Sequence, residues 1–298
     1  MTLTAAPGAP APPAGRARPR VPRGHRRRVA LGWIATHALA IALAIMFIGP
    51  LVFIALTAVM TDHQALTSRL WPDHFEWGNF ADIFRRAPLL TWIGNTLLYA
   101  ILATVFMLVS SIPVAYALAR LRFPGRRLAF LLVITTMMLP PQVVAVPIYI
   151  LWARFHLTGT LWPLILPMLL GDAFSIFLLR QFLVTIPREY SDAARVDGCG
   201  ELRTLVRVIL PMARPAIAAV ALFQFFYCWN DYYGPLLYAG TEPSNWTLSL
   251  GLASFKAVHH TQWNLTMAAT LLAMAPVIIV FFFAQKAFIE GVKLTGVK

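Results

Sequence analysis

A chain of 298 residues that is 59% hydrophobic, only 12% charged and has a mean hydropathy of +0.68 is not a water-soluble domain; such domains carry about 25% charged residues. Two cysteines, Cys199 and Cys228, exclude a disulfide framework and a cysteine metal cluster. A net charge of +13 could suit nucleic acid, but the placement of the charges points to a membrane.

Residues 1–28 stand apart. MTLTAAPGAPAPPAGRARPR is rich in Pro, Ala and Gly, and Arg16 to Arg28 carries seven arginines without one acid. Such a stretch cannot bury a core and is expected to be a disordered basic tail. Arginines beside a membrane span suit anionic headgroups, which explains them more simply than nucleic acid does. The apolar run from Val29 to Met60 is too long for the core of a signal peptide and reads as a first span, with Pro50 as a possible bend.

Five further apolar runs, near 91–119, 128–152, 161–183, 215–237 and 264–287, are each long enough for a hydrocarbon core of about 30 Å. The expected fold is therefore all-α, a polytopic membrane protein with about six transmembrane helices at 29–298. Of the 25 Lys and Arg residues, 20 fall in 1–28, 120–127, 180–214 and 286–298. The other five lie in 61–90 and at Arg154 and Lys256. The positive-inside rule then places both termini and the loop at 187–215 in the cytoplasm of a multi-pass cell-membrane protein.

Polar and helix-breaking residues inside the spans are the candidates for a solute path. Pro140-Pro141, with Pro147 close behind, frees backbone carbonyls in the third run. This marks either a broken helix beside a path or a structural kink. Asp231 stands in an uncharged run, flanked by Trp229, Asn230, Tyr232 and Tyr233. Those rings, amides and hydroxyls suit a sugar, which has an apolar face and many hydroxyls. The same residues also suit an outer aromatic anchor, because Gly234-Pro235 follows at once. Asp172 is expected to make an inter-span hydrogen bond or to lie near the surface, and His37 to be packed in a core. His259-His260 reads as loop polarity, since adjacent side chains do not share a helix face. No Gly-rich phosphate loop with its Lys-Ser/Thr occurs, and no catalytic constellation or metal-ligand set stands out.

The long polar stretch between the fourth and fifth runs is PREYSDAARVDGCGELRTLVRVILPMARP, Pro187 to Pro215. Glu189 to Val196 is predicted to form about two helical turns, closed by Asp197-Gly198. A second helix follows Gly200, with Leu202, Leu205, Val206 and Ile209 expected on one apolar face. Asp192-Ala193-Ala194, then Gly198, then Val208-Ile209-Leu210-Pro211 resembles the coupling loop of ABC importer permeases, whose pattern is Glu-Ala-Ala, three residues, Gly, nine residues, Ile-x-Leu-Pro. Asp and Val replace Glu and Ile at matching spacing, and Asp197-Gly198-Cys199-Gly200 stands where the sugar-importing branch has Asp-Gly-Ala-Ser.

Further resemblance to that branch's maltose-type second permease lies in Asn95-Thr96, Ala117-Leu118-Ala119-Arg120, Phe123-Pro124-Gly125 and Met138-Leu139-Pro140. Phe177 to Phe182, Trp229-Asn230-Asp231 and the final Gly296-Val297-Lys298 continue it. The resemblance covers about 90–298 and implies an ABC importer permease fold. It makes Glu189, Asp192, Ala193, Ala194, Asp197, Gly198 and Pro211 the expected contact with ATPase subunits. Ala193 and Ala194 would give the first helix a small, closely approachable surface. It further implies that ATP and Mg belong to those partners, with no cofactor in this chain. A second permease and an extracytoplasmic solute-binding protein, docking on 61–90 and 238–263, would complete the assembly in the bilayer. The solute implied is a sugar or oligosaccharide; a polyol or glycerol phosphate is the alternative. An ion-coupled transporter using Asp231 would leave the loop motif unexplained.

Overall fold

The computed structural model describes the backbone of residues 23–65, 67, 69–255 and 262–296, and side chains between 32 and 283 within those ranges. Every regular element among the described residues is helical. Residues 1–52 and 53–298 form two units.

The first unit contains most of helix α1 (Arg23–Ala58), so the backbone is already helical within the basic stretch. Residues 1–22 lie outside the described residues. From Gly32 to Val52 every side chain is exposed. His37 is accordingly not a core residue: its ring lies on the surface, tilted by 30° against Trp33 with centroids 3.9 Å apart and Nδ1 bonded to the Trp33 carbonyl. An apolar helix exposed along its length belongs in lipid or against another protein.

In the second unit, α2 (Asp62–Ala65) and α3 (Gly78–Arg86) precede α4 (Leu89–Arg120). α4 is the central helix, packed most extensively against the helices Ala173–Thr185 and Arg214–Asn230 and also against α3, Arg126–Thr136, Trp162–Ile165 and Leu248–Ser254. Ala100, Ala103 and Ala115 on α4 are completely buried, because small side chains let neighbouring helices approach closely.

The run expected at 128–152 is two helices, α5 (Arg126–Thr136) and α6 (Pro141–Arg154), meeting at 94°. Pro140 sits at the corner in an extended conformation. The fourth run is also interrupted. α7 (Trp162–Ile165) continues as a 3-10 turn over Leu166–Leu170, and α8 (Ala173–Thr185) restarts after Gly171. Asp172 is the N-cap of α8, its Oδ2 accepting from the Ser175 amide at 2.7 Å. The inter-span bond at this position comes instead from the Asp172 backbone N–H, donated to Ser111 Oγ of α4 at 3.1 Å.

The polar stretch forms α9 (Glu189–Val196) and α10 (Glu201–Thr204). α10 runs through a π turn at Leu205–Ile209 into α11 (Leu210–Met212). α12 (Arg214–Asn230) leaves at 81° to the preceding helical segment. It ends before the expected limit at 237, and α13 (Tyr233–Tyr238) follows as a separate short helix. After the outer segment come α14 (Leu248–Ser254) and the long α15 (Trp263–Gly296). His259-His260 and Val297-Lys298 lie outside the described residues. Among the described residues, four helical stretches are long and apolar enough to cross a membrane, rising to six if each bent pair counts as one span.

Among the described residues, three apolar clusters are strung along α4: Trp92 with Trp229 and Leu265, Tyr99 with Leu164 and Cys228, and Met107 to Ala119 with Leu179 and Ile209. At the first of these, a Cβ on Gly251 of α14 would overlap the Trp92 ring, so only glycine permits that approach.

Candidate functional site: the loop between α8 and α12

The α9 segment is built as its sequence dictates. Glu189 and Asp192 lie in its first turn, where acids favour the positive end of the helix dipole. Its C-terminus is a Schellman motif: the Cys199 amide donates to the Ala194 carbonyl at 2.9 Å and the Gly198 amide to the Arg195 carbonyl at 3.0 Å. Gly198 has φ +78°, the left-handed conformation that the motif needs and that glycine supplies without strain. Gly200 is the N-cap of α10, as expected.

Two features depart from the sequence reading. Leu205 and Ile209 are buried, whereas Leu202 and Val206 are 74% and 52% exposed. The π turn over Leu205–Ile209 breaks the 3.6-residue register, so the four do not share one face. The alanine pair also divides. Ala193 lies on the surface, but Ala194 is buried and faces the protein. The exposed apolar surface of this loop is instead made by Val196, Leu202, Val206 and Tyr190.

The loop is fastened to the last turns of α4. Arg120, itself buried, donates from Nη1 to the Ile186 carbonyl at 2.8 Å and from Nη2 to the Pro187 carbonyl at 3.0 Å. One turn earlier the Tyr116 hydroxyl donates to Glu201 Oε2 at 2.8 Å. Arg195 bridges α9 and α10, reaching Glu201 Oε1 and Asp192 Oδ1, each at 2.9 Å. Tyr116 and then Arg195 hold the Glu201 carboxyl below its usual range, and Glu201 in turn raises the Arg195 guanidinium. A cleft of about 570 Å³ opens here, lined by Arg120, Arg122, Arg188, Arg195, Asp192 and Glu201 among others. The sequence reading missed the roles of Tyr116, Arg120, Arg195 and Glu201. Only the i,i+3 spacing of Asp192 and Arg195 signalled any part of this network.

The remaining motif residues stay outside it. Glu189, Asp197 and Pro211 are exposed, Asp197 as the C-cap of α9 and Pro211 inside α11.

The candidates for the solute path are only partly brought together. Trp229 and Asn230 line a cavity of about 300 Å³ with Leu248, Ser249, Thr270 and Met274 among others. Trp229 is buried and stacks on Phe225 at 5.7 Å, and Asn230 Nδ2 donates to the Phe226 carbonyl at 2.8 Å. Asp231 faces elsewhere, accepting from the Tyr99 hydroxyl and the Gly234 amide at 3.0 Å each. Tyr232 is on the surface, and Pro140 is an exposed corner between α5 and α6.

Residues 111–294 match the family described as the binding-protein-dependent transport system inner membrane component. The arabinooligosaccharide transport permease AraQ of Halalkalibacterium halodurans is 31% identical over 90% of this chain and 97% of its own. The sn-glycerol-3-phosphate transport permease UgpE of Pectobacterium atrosepticum is 34% identical over 87% and 95%. The diacetylchitobiose uptake permease DasC of Streptomyces coelicolor is 34% identical over 76% and 80%. The fold matches a bacterial ABC transporter involved in alginate import with a TM-score of 0.77 and 23% identity, covering 91% of this chain and 100% of that one. With an apolar helical bundle, a polar loop of the coupling pattern and these relatives, the chain belongs to the binding-protein-dependent transport inner membrane component family and is the multi-pass, membrane-spanning permease subunit of an ABC importer, not an enzyme.

Proposed function

We propose that this permease imports a neutral sugar or oligosaccharide, and that α9 and α10 are the surface gripped by its ATPase subunits. The observation that favours a sugar is the cavity beside Trp229. Its lining combines an indole, the Asn230 amide and the Ser249 and Thr270 hydroxyls with apolar walls, and it holds no Lys or Arg. A phosphorylated solute needs a cation to offset its charge, so the glycerol phosphate reading is less well served. Relatives named for arabinooligosaccharides and diacetylchitobiose support the same choice.

ATP and Mg would bind in separate ATPase subunits, with Val196, Leu202 and Val206 as the apolar contact and Glu189, Asp192, Ala193, Asp197 and Gly198 around it. Ala194 would act by packing the helix from inside. Pro211 would serve by fixing the exit towards α12. Closure of the ATPases would then rock the spans between two openings. A second permease would cover the exposed apolar surface of α6 and of the corner before it, where Val143, Val146 and Met138 are each about two-thirds exposed or more. An extracytoplasmic binding protein would deliver the solute at 61–90 and 238–263, and both termini would be cytoplasmic. The test is reconstitution with candidate ATPase, permease and binding-protein partners, reading ATP hydrolysis against a panel of sugars and glycerol phosphate. Stimulation by a sugar-loaded binding protein supports the proposal. Stimulation by glycerol phosphate alone would replace the solute, and no stimulation by any loaded binding protein would count against both parts.

A further inference from the structure

The hydrogen bonds of α4 form a pattern that its role as central packing helix does not require. At one end Trp92, Asn95, Thr96 and Tyr99 lie at i, i+3, i+4 and i+7, on one face. Trp92 Nε1 donates to the Pro243 carbonyl at 2.8 Å. Asn95 Nδ2 donates to the Ser244 and Trp246 carbonyls at 2.7 and 2.9 Å. Thr96 Oγ1 accepts from the Leu248 amide at 2.8 Å. At the other end Tyr116 holds Glu201, and Arg120 holds the carbonyls of Ile186 and Pro187. Asn95 and Arg120 are about 38 Å apart at the helical rise of 1.5 Å per residue. That exceeds the thickness of a hydrocarbon core.

Helix α4 therefore grips, at each of its ends, chain that lies between the long helices. At one end this is the segment 243–248, at the other the entry to the coupling loop. We propose that α4 is the strut that couples these two loops, with Tyr116 and Arg120 as its inner positioning residues and Asn95 as its outer one. This rests on the reading of 187–215 as the ATPase contact, and gives that contact a defined route to the outer surface. A continuous helix is stiffer along its axis than the shorter segments it holds, and α4 runs unbroken from Leu89 to Arg120 although Pro113 within it has no backbone N–H to donate. Displacing Glu201 and Pro187 moves the strut, and the strut moves the three carbonyls held by Trp92 and Asn95. Coupling of this kind is reciprocal, and it must be shown by measurement rather than by spatial intermediacy.

The test uses the full permease alone in lipid nanodiscs, so that it does not depend on any ATPase binding. Amide hydrogen exchange is measured in the parent and in Tyr116→Phe, Glu201→Gln and Asn95→Ala. Tyr116→Phe removes only the hydroxyl. It should speed exchange by about threefold or more at 244–250 as well as locally at 199–204, by loosening the segments that α4 restrains. Asn95→Ala should do the reverse, speeding exchange at 187–202, with α15 unchanged in both. Glu201→Gln keeps an acceptor for Tyr116 while losing the ion pair to Arg195. It should loosen α9 and leave 244–250 as in the parent. If Tyr116→Phe does not fold, the Asn95→Ala measurement decides from the other end. Changes confined to the mutated end in both variants would overturn the proposal, leaving two independent clamps. Because no ATPase is present, remote exchange changes would support the strut even if the docking surface proved wrong, and their absence would reject the strut without touching the docking surface.

Discussion

The Tyr99 hydroxyl donates to Oδ2 of Asp231 at 3.0 Å while Oδ1 accepts the Gly234 amide at the same distance. Both carboxylate oxygens are thus engaged in holding the end of α12 against α4 and the start of α13. These two bonds give the Asp231 carboxylate a structural task. Asp231→Asn should keep ATP-driven transport per assembled complex near the parent level, insensitive to an ionophore. The amide cannot satisfy both donors as the carboxylate does, so stability should fall by about 1–2 kcal/mol, read as a lower midpoint of thermal unfolding. Transport abolished at unchanged stability would restore a functional role for the charge.

At Gly198 the cost of substitution should follow the left-handed backbone. A non-glycine residue there pays about 1–2 kcal/mol, and asparagine tolerates the conformation better than a β-branched residue. Gly198→Asn should therefore retain most ATPase co-purification and Gly198→Val little. Membrane insertion should be normal in both, because the position lies between spans. Equal co-purification by the two variants would mean that the turn does not shape the contact.

The two alanines of the motif should separate cleanly. Ala194→Trp overfills a buried site, at a cost of about 1–3 kcal/mol, and should expose α9 to limited proteolysis even without partners. Ala193→Trp adds its bulk outside. It should leave the loop protease-resistant while weakening ATPase binding. The same proteolytic pattern in both would show that burial does not distinguish them.

Glu201 gives the loop a pH dependence. Its carboxyl is held below its usual range, chiefly by the Tyr116 hydroxyl and then by Arg195. The stabilisation is therefore full above the unfolded carboxylate value of about 4.3 and is lost as the pH falls through the lower folded value. Exchange at 199–204 should be flat from pH 8 to 5, after correction for intrinsic rates, and should rise below about pH 4. Glu201→Gln should abolish that acid step. A step between pH 6 and 8 would assign the effect to another group.

In the cavity, Trp229→Phe keeps a ring but loses the indole N–H, and Ser249→Ala removes one hydroxyl. Either change should alter transport of one sugar relative to another by roughly 5–10-fold, the loss of one hydrogen bond, with unchanged assembly. Identical sugar preference in both variants would reduce the cavity to packing.

What the sequence disclosed was local. The turns of α9, the left-handed Gly198 and the N-cap at Gly200 depend on neighbouring residues, and spacing alone revealed them. The apolar runs marked the long helices and bent pairs that are apolar enough to cross a membrane. Pro140-Pro141 announced a break, but no local rule supplied its 94° angle. The grouping of Leu202 with Leu205 failed because a π turn, invisible to a 3.6-residue count, shifted the register. Gly171 and Asp172 read as an interruption of a span only once the cap on Ser175 is seen. The bond from Tyr116 to Glu201 joins residues 85 apart in sequence, and Trp92 reaches Pro243 across 151. Periodicity carries no trace of such pairings.

The most direct test of the central claim is ATP hydrolysis by the reconstituted importer, stimulated by sugar-loaded binding protein, in the parent and in a Val196→Asp, Leu202→Asp double variant. Both side chains are strongly exposed, 88% and 74%, so the fold should tolerate the change. If α9 and α10 form the ATPase contact, stimulated hydrolysis should fall at least tenfold, equivalent to about 1.4 kcal/mol, while the permease inserts and unfolds as the parent does. Undiminished sugar-stimulated hydrolysis in the double variant would contradict the account.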